Sequence, residues 1–168
     1  MSAPTIRIAG AADIPAVLAL IERAYRGDSA RAGWTHESDL LSENRTSLEE
    51  LTAIVSDPDK RILLATRDEA IIGCVEVTKE GEAVGYFGML TVDPRLQAGG
   101  LGKHLIAAAE AEAVRSFGAT RMELAVVDKR PELIAYYERR GYAATGEVKP
   151  FPAPEAIPLD LLVYSKPL

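Results

Sequence analysis

Hydrophobic residues along the chain form two kinds of pattern. Short runs rich in β-branched and aliphatic residues predict strands, whereas an apolar residue at every third or fourth position predicts a helix. Helices are predicted to begin near Asp13, at the capping-box pair Thr46 and Glu49, near Leu101 and at Pro131. Strands are predicted over residues 5–8, 61–66, 70–78, 83–92, 121–127, 142–147 and 159–166.

The order of these elements, β-α-α-β-β-β-α-β-α-β-β, predicts a mixed α/β (α+β) fold. The strands that begin at Arg61, Ala70 and Ala83 are joined by short polar turns, which favours an antiparallel meander. The helix after the meander leads to another strand, and a crossover of this kind joins parallel strands. We therefore expect one domain over residues 1–168, with a mostly antiparallel mixed sheet of about six to seven strands flanked by about four helices.

Two segments follow neither pattern. Residues 27–45 are polar and aperiodic, and they contain the only tryptophan of the chain, Trp34, with acidic side chains at Glu37, Asp39 and Glu43. This composition predicts a loop or a broken helix that contacts another group. Prolines recur between residues 150 and 158, where they interrupt any regular element and predict an ordered loop.

Composition narrows the class of protein. With 48% hydrophobic and 26% charged residues, the chain has the balance of a soluble globular domain. Its formal net charge of −6 argues against a nucleic-acid partner. Because the sequence shows neither a long apolar run nor a secretory leader, we expect no membrane partner and a cytoplasmic location.

Residues that commonly bind metals or act as nucleophiles are few. The single cysteine, Cys74, lies in an apolar run without a histidine or asparagine at a recognisable spacing, which predicts a buried, inert thiol. His36 and His104 have no partner at metal-ligand spacing. We therefore expect no metal site.

The most informative segment joins a predicted strand to a predicted helix, from Val92 to Lys103. It contains Gly99, Gly100 and Gly102. Glycine lets backbone amides approach a ligand, and a helix N-terminus offers unpaired N–H groups with a partial positive charge, so the segment predicts an anion site. A Walker A loop would need glycine at position 97 and serine or threonine at position 104, and a dinucleotide fingerprint would need glycine at position 105; the chain has none of these.

The spacing that does match is Gln97-x-x-Gly100-x-Gly102, after a strand that ends in Val92-Asp93-Pro94. Together with Tyr137-Glu138-Arg139-Arg140-Gly141-Tyr142 downstream, it resembles the acyl-CoA-binding motif of the GNAT superfamily of N-acetyltransferases, and the element order is similar to that family's fold. The resemblance implies acetyl-CoA as cosubstrate. The residues that it implies for cofactor binding are Leu90, Thr91, Val92, Gln97, Ala98, Gly99, Gly100, Leu101, Gly102, Lys103 and Tyr137.

The chemistry that the resemblance implies is direct transfer of an acetyl group from acetyl-CoA to a primary amine of a small molecule or peptide. Tyr137 would act as general acid on the departing thiolate, and the Leu90 N–H would stabilise the oxyanion. An amine is mostly protonated at neutral pH, so a base must take its proton. The side chains that stay open for this role are Glu76, Glu123 and Tyr86.

The resemblance also places the acceptor beside the segment from 25 to 45. The candidate contacts are Trp34, Glu37, Asp39 and Tyr86. One position departs from the family pattern, because Arg130 stands where many relatives have asparagine. Asp128 is then the expected cap of the following helix.

Several alternatives stay open. The chain could be a CoA-binding regulator that has the fold without turnover, or it could transfer a longer acyl group or acylate oxygen. The resemblance also allows a homodimer. Arg95 and Lys103 are each either a phosphate contact or a solvated charge, and Tyr136 is expected to pack, because it points about 100° away from Tyr137 on a helix.

Overall fold

The computed structural model describes residues 3–25, 46–150 and 160–168. The strands in these ranges are β1 (Thr5–Ile8), β2 (Lys60–Arg67), β3 (Ala70–Gly81), β4 (Val84–Val92), β5 (Arg121–Val127), β6 (Ala143–Pro150) and β7 (Asp160–Pro167). The α-helices there are α1 (Ile14–Tyr25), α2 (Leu48–Ser56), α3 (Leu101–Phe117) and α4 (Pro131–Arg139). Short 3₁₀ turns at Ala11–Asp13 and Pro94–Gly99 precede α1 and α3.

The described strands form one sheet in the order β1-β2-β3-β4-β5-β7-β6. β2, β3 and β4 are the predicted antiparallel meander, and β4 and β5 are the predicted parallel neighbours. β7 lies between β5 and β6 and is antiparallel to both. The predicted mixed, mostly antiparallel sheet is therefore confirmed. None of the helices in the described ranges is long and apolar enough to cross a membrane.

Different helices cover the two faces of the sheet. Leu63, Phe87 and Leu124 point to one face, where they pack with α3 and α4. Ile62 and Leu64, on the alternate positions, point to the other face and pack with α1 and α2. We call these the α3 face and the α1 face.

Two predicted helix starts differ from the structure by one residue or more. Thr46 is not the cap of α2, because the hydroxyl of Ser47 accepts the hydrogen bond from Glu50 N at 3.1 Å. Asp13 lies within the 3₁₀ turn before α1, and its carboxylate accepts from Gly10 N at 2.8 Å. Neighbouring polar residues compete for such bonds, and residue type alone does not decide between them.

Two glycines let α3 lie directly on the sheet. A Cβ at Gly85 would stand 2.8 Å from the Cβ of Ala113 and 3.1 Å from the Sδ of Met122. A Cβ at Gly73 would stand 2.9 Å from Cδ1 of Leu105. The helix is thus seated against β3 and β4, which fixes its N-terminus beside the end of β4.

Gly85→Ala is expected to lower the free energy of unfolding by about 1–3 kcal/mol, because the added methyl group overpacks the α3 interface. Urea denaturation measures the change. Gly81→Ala is the matched control, since a Cβ there has no atom within 4 Å and the variant should stay within about 1 kcal/mol of the parent. Equal loss in both variants would contradict the close seating of α3.

Candidate active site

β4 and β5 part after a short paired segment. Their pairing covers Val84–Tyr86 on β4 and Arg121–Glu123 on β5. Beyond it β4 continues to Val92 and β5 to Val127, with no further pairs between them in the described sheet. Parallel strands that separate in this way leave strand edges facing a gap, where an extended group can add to the sheet. We call this gap the β4–β5 split.

A β-bulge lies on β4 where the split begins. Between Gly88 and Thr91, β4 has two residues, Met89 and Leu90, where β3 has one. Met89 has a φ of 54°, a left-handed conformation that non-glycine residues rarely adopt. Such backbone strain costs on the order of 1–3 kcal/mol and persists only where the surroundings hold it.

The bulge changes which face each side chain meets. Phe87 packs on the α3 face, and after the extra residue Leu90 and Val92 pack there too, while Met89 packs on the α1 face. Thr91 has an exposed fraction of 1%, and its hydroxyl donates to the carbonyl of Met89 at 2.9 Å. The predicted cofactor residues Leu90, Thr91 and Val92 therefore have buried or half-buried side chains, and the split is bordered by their backbone.

The glycine segment forms a compact turn at the end of the split. The 3₁₀ turn Pro94–Gly99 contains the backbone of the predicted Gln97 and Ala98. Gly100 follows with a φ of 78°, and α3 begins at Leu101. The first amides of a helix have no partner within it, so this turn directs N–H groups and the positive end of the helix dipole to one place, as an anion site requires.

Asp93 fastens this turn to β4. Its carboxylate accepts hydrogen bonds from the backbone N, Nε and Nη2 of Arg95 at 3.0, 3.1 and 2.8 Å, and lies 3.5 Å from Nη2 of Arg23 on α1. The bonds from Arg95 lower the pKa of Asp93 to about 2, so it is ionised at any working pH. Arg95 is neutralised by this carboxylate, whereas Lys103 is exposed in the first turn of α3.

Tyr136 lies beside the glycine turn and Arg140 lies over its ring; the sequence does not single out either of them as a site residue. The Oη of Tyr136 is 2.7 Å from the place that a Cβ of Gly102 would occupy. The Cζ of Arg140 lies 5.1 Å from the centre of the Tyr136 ring. The only sequence signal for this pair is its spacing of one helical turn.

We call the place where Tyr136, with Arg140 over its ring, meets Gly102 the Gly102 corner, and its chemistry fits a phosphorylated group. Nη1 of Arg140 is buried and has no hydrogen-bond partner among the described residues. Burial raises the pKa of Tyr136, so its hydroxyl keeps its proton as a donor. Because Gly102 has no Cβ, the Tyr136 hydroxyl can approach the first turn of α3. The corner thus combines a cation, a hydroxyl donor and helix amides.

Tyr137 lies beside the split on the α3 face. It has an exposed fraction of 7%, and its ring meets those of Phe87 at 5.9 Å and Tyr142 at 6.4 Å, edge to face. Phe87 is the first residue of β4 beyond the segment paired with β5. The aromatic contact therefore sets Tyr137 near the base of the split.

Glu76, Tyr86 and Glu123 lie on the α1 face, because their strand neighbours pack on the α3 face. Sheet pairing sets Tyr86 beside Glu123 and Gly88 beside Glu76. A Cβ at Gly88 would be 3.5 Å from Cε1 of Tyr86, so the tyrosine ring extends along β4 towards the bulge. The structure thus brings the three predicted candidates for the base to one face.

The two carboxylates differ in their partners and positions. Oε2 of Glu76 lies 3.9 Å from Nζ of Lys60, whereas Oε2 of Glu123 accepts from Nε of Arg121 at 3.2 Å. Glu76 is paired with the residue just before the bulge, at the open part of the split. Glu123 lies on the paired segment, where the strands have not yet separated.

The predicted cap at Asp128 is wrong, because α4 has Arg130 as its N-cap residue. Asp128 instead accepts a hydrogen bond from Asp160 N at 3.4 Å and joins the end of β5 to β7. The buried Arg130 donates from Nε to Glu132 at 2.8 Å. A paired cation therefore fills the position where the family pattern has asparagine.

Some predicted residues lie outside the described ranges. These are Trp34, His36, Glu37, Asp39 and Glu43, together with the proline-rich segment from 151 to 159. Within the described ranges, Cys74 is a buried free thiol, as predicted. No group of three or more His, Cys, Asp and Glu side chains in these ranges could hold a metal ion.

Solved structures share the fold over nearly all of this chain. An acetyltransferase of the GNAT family from Streptococcus pneumoniae is 22% identical, with a TM-score of 0.72 over 99% of this chain and 100% of that one. A ribosomal-protein-alanine N-acetyltransferase from Brucella melitensis is 21% identical, with a TM-score of 0.72 over 98% and 99% of the two chains. PaiA N-acetyltransferase from Thermoplasma acidophilum, in complex with coenzyme A, is 16% identical, with a TM-score of 0.72 over 99% and 100%.

Sequence comparison identifies the family. Curated proteins give no match to this chain. The family model described as the acetyltransferase (GNAT) family matches residues 18–142, which include the β4–β5 split, the glycine turn and Tyr137. The chain therefore belongs to the acetyltransferase (GNAT) family.

Proposed function

We propose that this protein transfers an acetyl group from acetyl-CoA to a primary amine. The observation that carries the proposal is the β4–β5 split, which ends at an anion-binding helix N-terminus and has Tyr137 on one side and carboxylates on the other. An acyl carrier with a diphosphate and an extended arm matches this arrangement in both charge and shape.

The glycine turn would hold the diphosphate of coenzyme A. Backbone amides from Gln97 to Lys103 supply the donors, and Arg140 with Tyr136 adds a cation and a hydroxyl at the same corner. The pantetheine arm would follow the edge of β4 along Leu90 and Val92, where β5 has separated. When bound, acetyl-CoA supplies the activated thioester.

The transfer needs a base, a site for developing negative charge and an acid. Glu76 takes the proton from the attacking amine, because it lies on the α1 face beside the bulge, at the open part of the split. The Leu90 N–H faces the carbonyl oxygen as negative charge develops there. The new bond joins the amine nitrogen to the carbonyl carbon, and the carbon–sulfur bond breaks.

Tyr137 completes the transfer by giving its proton to the leaving thiolate. It and Glu76 lie on opposite faces of the sheet, so the acid and the base act from the two sides of the split and do not compete for one proton. Tyr86 covers the α1 side beside Glu76 and would contact the acceptor, together with Trp34 and Glu37 from the segment between α1 and α2.

Purified protein is expected to release thiol from acetyl-CoA only when an amine acceptor is present. The assay uses a colorimetric thiol reagent and a panel that includes polyamines, amino acids and peptides with a free N-terminal alanine. Propionyl-CoA and succinyl-CoA in parallel measure the accepted acyl length. Calorimetric binding of CoA without thiol release for any acceptor would contradict the transferase and favour a regulator.

Gly99→Asp is expected to weaken CoA binding at least about tenfold relative to Gly99→Asn, because a carboxylate at the helix N-terminus repels the diphosphate. Gly99 suits this test, since a Cβ there has no atom within 4 Å and its φ is not left-handed, unlike that of Gly100. Calorimetry measures the dissociation constants, and the difference should shrink in high salt. Equal dissociation constants for the two variants would show that the diphosphate of coenzyme A does not bind at this turn.

Tyr137→Phe is expected to lower kcat about 10- to 100-fold with little change in the KM for acetyl-CoA, because it keeps the ring contacts and removes only the proton donor. Tyr136→Phe is the companion variant and should act mainly on the KM, since its hydroxyl lies beside Gly102. Initial rates of thiol release separate the two effects. A loss of kcat in Tyr136→Phe alone would instead identify Tyr136 as the general acid.

A further inference from the structure

The carbonyl of Met89, at the centre of the bulge, is held by two side chains. Oγ1 of Thr91 donates to it at 2.9 Å, and Sγ of Cys74 lies 3.9 Å from it. Both side chains are fully buried, at 1% and 0% exposure. Both donors therefore reach the Met89 carbonyl from the buried interior of the sheet.

Peptide geometry links this carbonyl to the Leu90 amide. The C=O of Met89 and the N–H of Leu90 belong to one planar trans unit, in which they point in opposite directions. When the carbonyl is fixed towards Thr91 and Cys74, the N–H is fixed away from them. A side chain that never touches a ligand can thus set the direction of the amide next to the split.

The conformation that needs this support is the strained one. Met89 has a φ of 54°, a conformation that costs free energy for a non-glycine residue. Thr91 is in turn held against β3, since its carbonyl oxygen is 3.0 Å from the place of a Cβ at Gly73 and its backbone pairs with Cys74. The anchor therefore belongs to the rigid centre of the sheet.

We propose that Thr91 is a positioning residue, whose hydroxyl holds the Met89–Leu90 peptide so that the Leu90 N–H faces the reacting carbonyl oxygen in the β4–β5 split. This rests on the proposed acetyl transfer. It revises the expectation that Thr91 belongs to the cofactor contacts. Cys74 is the weaker second donor to the same carbonyl, and burial raises the pKa of its thiol to about 12, which keeps the hydrogen in place.

The test compares Thr91→Val, which removes the hydroxyl with little change of shape, with Thr91→Ser, which keeps it. Thr120→Val is the matched control, because Thr120 Oγ1 also donates to a backbone carbonyl, that of Ala83 at 3.3 Å, away from the split. Thr91→Val should lower kcat about 10- to 100-fold, with the KM for acetyl-CoA and the Kd for CoA within about twofold. Thr91→Ser should restore most of kcat, and Thr120→Val should match the parent.

Two results of the kinetic comparison would overturn the proposal. One is a kcat for Thr91→Val within twofold of the parent. The other is a loss of CoA affinity that accounts for the whole effect, since a general structural defect would act in that way. Thermal unfolding identifies any variant that fails to fold. If Thr91→Val is such a variant, the kcat and Kd of Thr91→Ser are compared with those of the parent instead.

A second readout separates this inference from the proposed function. Absence of thiol release by the parent protein with every acceptor would end the proposed function. The amide resonance of Leu90 in ¹⁵N spectra with CoA added then decides the positioning. A large shift in Thr91→Val that Thr91→Ser reverses supports the anchor, and an unchanged resonance overturns it.

Discussion

The rest of the site is built around the separation of β4 from β5. Two parallel strands that stay paired would satisfy their own backbone groups and leave no place for an extended ligand. Here pairing stops after Tyr86, and the next residues of β4 contain a bulge in which the Met89 carbonyl accepts a hydrogen bond from Thr91. The end of β4 is then fastened by Asp93 to the turn that begins α3. The edge of β4 along the split, the bulge and the glycine turn thus follow one another along the backbone.

This arrangement assigns the two halves of the proposed chemistry to different faces of the sheet. Tyr137 reaches the split from the α3 face through its contact with Phe87, while Glu76 and Tyr86 approach from the α1 face. An acid and a base separated by the sheet keep their own environments.

The sequence predicted what depends on local pattern. The strand runs, the helical periodicity and the Gln97-x-x-Gly100-x-Gly102 spacing located the sheet, the helices and the glycine turn correctly, because periodicity and glycine spacing are properties of short segments. The bulge was missed, since Met89 has no side-chain signal for its left-handed φ of 54°. Arg140 and Tyr136 were missed as site residues because their relation to Gly102 exists only after α4 packs beside α3. The acceptor contacts Trp34 and Glu37 remain predictions.

In the proposed function, the β4–β5 split and the glycine turn together hold coenzyme A. Titration of the ¹⁵N-labelled protein with CoA, followed by amide chemical shifts, tests it most directly. The largest shifts are expected to form one connected set, from Leu90 to Val92 and from Gly99 to Lys103. Saturable binding that leaves both of these stretches unmoved, with the shifts elsewhere on the protein, would contradict it.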